Sequence, residues 1–98
     1  MENHVKDIIR EAIEELNEQL DADKKINYSD ELRLIGPKAA LDSISFVTLI
    51  AIIEDIISER LEKNIMIVND KAFSRERSPF YSTAALTEYI VELLAEVK

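Results

Sequence analysis

Leu41-Asp42-Ser43-Ile44-Ser45-Phe46-Val47-Thr48-Leu49-Ile50-Ala51-Ile52-Ile53-Glu54-Asp55 is the stretch whose reading decides the fold. Asp42 and Ser43 carry short side-chain oxygens and stand directly before an apolar run. Either can accept a hydrogen bond from a first-turn amide that has no partner inside the helix, so a helix is expected from about Ser43 to Leu61. Both lie at the positive end of its dipole, where a phosphate ester on the Ser43 hydroxyl would meet free amides and a favourable field. Ile44, Phe46, Val47, Leu49, Ile50, Ile52, Ile53, Ile56, Ile57 and Leu61 cover more of the circumference than a surface helix would show. This should be the most buried element. Not all of these residues can face one core, so Ile44 and Val47 are expected at the surface as an apolar contact area for a partner, unless the helix is wrapped on every side.

Upstream, Val5, Ile8, Ile9, Ala12, Ile13, Leu16 and Leu20 recur at helical spacing, with Glu11, Glu14, Glu15 and Glu18 turned mostly away. The first element is therefore an amphipathic helix. Its polar face is acidic, unlike the basic face of helices that lie on membranes, so it packs on a core. From Asp21 to Leu41 turn formers dominate and Gly36-Pro37 breaks any helix, which predicts a long loop anchored by Leu32, Leu34 and Ile35. Gly36, the only glycine, is expected where a side chain would strain the backbone.

Downstream, Asn64 to Val68 is a short apolar run that can tuck back on the core, and Asn69-Asp70 can cap a short helical turn through Ala72 and Phe73. Ser74 to Pro79 is a charged, proline-ended loop. Ser82 or Thr83 can cap a last helix, whose stripe is Leu86, Tyr89, Ile90, Leu93, Leu94 and Val97. The expected fold is all-α: a single domain over residues 1–98, a small irregular four-helix bundle of three main helices plus a short third helix, with a long loop between the first and second.

Twenty acids against 12 bases give a formal net charge of −8, which repels nucleic acid and anionic membrane and favours a basic-faced protein partner. With no cysteine the chain supplies no thiol of its own, and with one histidine, His4, it builds no His-rich metal site. Met1-Glu2-Asn3-His4 lacks a signal-peptide pattern, and the apolar run Leu49 to Ile53 is far short of the ~20 residues that cross a bilayer. The expected address is the cytoplasm and the expected state a monomer.

With these elements in place, Asp42-Ser43-Ile44 and the apolar helix that ends in Glu54-Asp55 resemble the Asp-Ser-Leu signature of acyl carrier proteins, whose serine carries 4'-phosphopantetheine. The resemblance covers nearly the whole chain: a helix-like segment precedes the signature, a loop with Gly36-Pro37 leads in, and Leu86-Thr87-Glu88-Tyr89-Ile90 is similar to the family's last helix. It implies that a phosphopantetheinyl transferase moves the group from coenzyme A to Ser43, beside Asp42, and that other enzymes load and collect acyl or aminoacyl cargo on the imported thiol. Lipid metabolism, and fatty-acid biosynthesis within it, is the implied setting. Ile44 replaces the signature leucine, and Ser45 and Thr48 stand where carriers of fatty-acid synthesis tend to place acids. The acidic patch here begins later, at Glu54, Asp55 and Glu59, and the link from Ser58 to Tyr81 looks longer, so a specialised carrier is implied. In the family that link lies near the prosthetic arm, where Arg75 and Arg77 would hold an anionic cargo or an acidic partner surface, the alternative being a solvated loop in which the two arginines only balance neighbouring Glu.

Two other classes fit less well. As an enzyme, the chain would need a base beside Ser43, and its histidine sits at the far N-terminus. The chain is therefore read as a substrate of enzymes rather than a catalyst. An unmodified acidic helical adaptor fits charge and fold equally, but leaves unexplained a serine after Asp42 at the entrance of the most apolar helix.

Overall fold

The apolar stripe of the N-terminal segment forms α1, Glu2–Asn17, and buries Val5, Ile8, Ile9, Ala12, Ile13 and Leu16. A computed structural model of the chain describes residues 2–35, 39, 41–69, 72 and 78–96. Among them are two further helices, α2 (Ser43–Leu61) and α3 (Thr83–Glu96), a 3-10 turn at Ala22–Lys24, and no strand. An isolated antiparallel bridge joins Arg33 to Ser82. The architecture is all-α, with α1 packed against both other helices. The short third helix expected through Ala72 and Phe73 falls mostly outside the described residues, as do Gly36 and Val97. Among the described residues the Asn69 side-chain oxygen accepts from the Ala72 amide at 3.1 Å.

α1 ends earlier than its apolar spacing suggests. The Asn17 side chain takes both backbone groups of Ile26, donating to its carbonyl at 2.8 Å and accepting from its amide at 2.9 Å. This pairing ties the last residue of α1 to the returning loop. Leu20 then reaches the core from a turn rather than from a helix.

The loop after α1 is anchored by Ile26 and Leu34, both buried, with Leu32 packed beside them. Ile35, expected as an anchor, is instead exposed. The loop's firmest attachment is to α3, whose first amides have no partner within the helix. Thr83 N–H donates to the Leu32 carbonyl at 3.1 Å and Ala84 N–H to the Asp30 carbonyl at 3.0 Å. Ala85 N–H donates to the Ser82 hydroxyl oxygen at 3.2 Å, which makes Ser82 the cap. Thr83, the other candidate, is buried and donates its hydroxyl to the Ser29 carbonyl.

The second half of α2 is the better buried, through Ile52, Ile53, Ile56 and Ile57, whereas its first turns leave Ile44 and Val47 in solvent. The expectation that α2 is the most buried element is therefore not met: its buried residues all lie from Leu49 onward, six of its 19, whereas α3 buries seven of its 14. α2 closes on Glu62, whose φ of 53° is the left-handed cap conformation more usual for glycine. Ile67 is fully buried between α2 and α3, and both its backbone groups are satisfied by side chains. Its amide donates to Glu54 at 2.9 Å and its carbonyl accepts from the Tyr89 hydroxyl at 2.9 Å. An edge-to-face series, Phe46 to Phe80 at 5.2 Å and Phe80 to Tyr89 at 6.4 Å, ties the start of α2 to α3.

Candidate functional site

Asp42 is extended, with φ −81° and ψ 175°, and its side chain accepts from the Ser45 amide at 2.7 Å. The cap is therefore Asp42, and Ser43 is released to be the exposed first residue of α2. The hydrogen bond from Ser45 holds the Asp42 carboxyl below its ordinary range, and the charge of Lys24 and the Ile44 amide act in the same direction. The amides expected to await a phosphate are thus partly occupied. A phosphate ester on Ser43 would enjoy the field of the helix but would stand beside an ionised carboxylate.

Two grooves meet at this corner. One, of about 390 Å³, is lined by Leu34, Ile35, Leu41, Phe46 and Val47, with Ser43 and Asp42 in its wall. The exposed Ile35 thus serves this groove rather than the core. The other, of about 510 Å³, shares Leu41 and Asp42 with the first and adds Asp23, Lys24, Lys25 and Ser45. The sequence reading missed the two lysines. They lie in a turn some twenty residues upstream, and only the return of the loop along α2 brings them to Asp42.

Ile44 is 80% exposed and Val47 64%, and Ala51, one further turn along, is also exposed. At helical spacing these make an uncharged stripe running from Ser43. Asp55 and Glu59 are exposed further along α2, about 18 Å and about 24 Å from Ser43 at 1.5 Å per residue. Glu54 differs from them: it is half-buried, and one carboxylate oxygen is committed to the Ile67 amide. No local signal separates such an acid from its solvated neighbours. Arg75 and Arg77 lie outside the described residues.

Nucleophilic catalysis would need a base within hydrogen-bond reach of Ser43. His4 lies in the first turn of α1 and lines a different cavity, with Ile8 and Arg60, away from both grooves. Among the described residues no three acidic or histidine side chains gather as a metal site, and no helix is long and apolar enough to cross a membrane. Comparison with protein-family models, curated proteins and solved structures found no match to this chain.

Proposed function

We propose that this chain is an acyl carrier protein whose Ser43 hydroxyl takes 4'-phosphopantetheine from coenzyme A. The observation that carries the reading is the placement of Ser43. It is the exposed first residue of α2, relieved of capping by Asp42, in the wall of an apolar groove and next to the exposed Ile44. The fit is chemical as well as steric, because an exposed hydroxyl can be reached by another enzyme's active site and the groove offers apolar cover beside it.

In the transfer, Ser43 Oγ forms the new bond to the pantetheine-side phosphorus of coenzyme A. The pyrophosphate linkage breaks, the adenosine-bearing phosphate leaves, and the serine proton passes to a base of the transferase. The attached group supplies the thiol on which cargo is held as a thioester, which a chain without cysteine cannot provide. Ile44 and Val47 give the transferase and the loading enzymes an apolar contact, and Asp55 and Glu59 add longer-range attraction for basic surfaces. On this reading the fold is the carrier's four-helix bundle, with a short helix after Asn69 between α2 and α3. The chain acts as a monomeric, specialised carrier in the cytoplasm, serving fatty-acid or related lipid metabolism.

Intact mass after incubation with coenzyme A and a phosphopantetheinyl transferase tests the proposal. One added phosphopantetheine is expected on the wild type and none on Ser43→Ala. Uptake by Ser43→Ala, or no uptake by the wild type with several transferases, would overturn it in favour of an unmodified adaptor.

A further inference from the structure

We infer that Lys24 and Lys25 are the counter-charge for the phosphodiester at Ser43, positioning residues without which that group and the carboxylate of Asp42 repel one another. The inference rests on the carrier reading above. It starts from a conflict in charge: Asp42 is needed ionised as the cap of α2, and the proposed modification adds a second anion on the very next residue. Like charges this close destabilise one another unless a cation is at hand.

The structure places two lysines in the groove that shares Asp42 with the groove lined by Ser43. Lys24 and Lys25 line the groove of about 510 Å³ whose wall includes Asp42 and Ser45. Neither is engaged in any of the ion pairs formed among the described residues, which join Lys6, Arg10 and Arg60 to acids elsewhere. Lys24 nonetheless already acts on Asp42 through space, helping to keep its carboxyl ionised. With Asp23 also in the groove, the local charge sums to zero before modification, so a phosphodiester would leave an excess negative charge rather than a severe repulsion. Ammonium groups on long flexible stems can swing from one anion to the other without any backbone change. In a chain of net charge −8, two adjacent lysines in the groove next to the one that Ser43 lines are set against the general trend of the surface.

The test compares the unmodified and the modified protein in the absence of any partner enzyme, so that an effect of the lysines on transferase docking cannot be mistaken for one on the attached group. Wild type, Lys24→Gln with Lys25→Gln, and Lys24→Arg with Lys25→Arg are each melted before and after phosphopantetheine attachment at low salt. Loss of surface charge pairing should lower the Tm of the modified glutamine variant by about 2–4 °C more than that of its unmodified form. Salt should close the gap, and the arginine variant should behave as wild type. Equal shifts in modified and unmodified glutamine variants would overturn the inference while leaving the carrier reading intact. A wild-type chain that never accepts the group would overturn both.

Discussion

If the chain is the proposed carrier, truncation of Ile44 should damage its encounter with a phosphopantetheinyl transferase more than reversal of the acids further along α2. Ile44 is 80% exposed, so nearly the whole side chain is available to a partner. Full burial of such a side chain contributes about 1.5–3 kcal/mol, of which Ile44→Ala would forfeit about 1–2 kcal/mol, since alanine keeps its Cβ. At about 1.4 kcal/mol per factor of ten, transferase kcat/KM should fall about five- to thirtyfold. Asp55 and Glu59 lie about 18 Å and about 24 Å along the helix from Ser43. Those spans exceed the screening length of about 8 Å at physiological ionic strength but not that of about 30 Å at 0.01 M. Asp55→Lys with Glu59→Lys should therefore slow modification at low salt and by less than about threefold at physiological salt. The assay is steady-state transfer followed by intact mass at the two ionic strengths, with a thermal melt to show that Ile44→Ala, altered only at the surface, stays folded. An Ile44→Ala rate within about twofold of wild type, together with a larger loss in the charge-reversed protein at physiological salt, would refute the reasoning and return docking to the acids.

Tyr89→Phe keeps the aromatic packing against Phe80 but removes the hydroxyl that donates to the buried Ile67 carbonyl. Leaving that carbonyl unsatisfied should cost about 1–3 kcal/mol, read as a fall in Tm of about 4–8 °C for each 1 kcal/mol lost, and an unchanged Tm would show that the hydroxyl does not hold the link. For Asp42 the folded-state carboxyl is depressed, so its stabilisation is complete above the ordinary value of 3.8 and is lost as pH falls through the lower folded value. Glu11, lowered by its hydrogen bond from Arg60, has the same sign. Denaturant melts taken down through this window should show wild type losing more stability than Asp42→Asn, which can still cap but does not titrate. Parallel losses in the two proteins would count against Asp42 as an ionised cap.

What was legible in the sequence was what short-range patterns encode. The apolar periodicity of Val5 to Leu16 marked the buried face of α1, and the step from Asp42 to an apolar run marked the start of α2. Exposure at Ile44 and Val47 followed from counting, since α2 has more apolar residues than one core-facing stripe can hold. What was illegible depends on partners distant in sequence. Asn17, the last residue of α1, pairs with both backbone groups of Ile26 nine residues on, and the half-buried Glu54 accepts from the Ile67 amide thirteen residues on. Lys24 and Lys25 read as ordinary turn residues until the loop brings them to Asp42. The left-handed Glu62 had no composition cue, because the chain's one glycine is elsewhere.

These long-range contacts divide α2 into an end that holds the fold and an end that presents a surface. Beyond Leu49 the helix supplies buried isoleucines, the acceptor for the Ile67 amide, and Arg60, which meets Glu11 of α1 through paired hydrogen bonds of 2.6 Å. Before Leu49 it supplies Phe46 to the aromatic series but leaves Ser43, Ile44 and Val47 outside. Packing energy is concentrated where side chains are enclosed, so substitutions at Ser43, Ile44 and Val47 should change chemistry and recognition with little change in stability, whereas Phe46 belongs to the packed side. The acids follow the same division, because Glu54 serves the fold while Asp55 and Glu59 remain free to act at the surface. Reversing Glu54 together with Asp55 would therefore confound docking with loosening of the link. Asp55 and Glu59 are the pair that isolates electrostatic attraction, and Ile44 and Val47 the pair that isolates apolar contact.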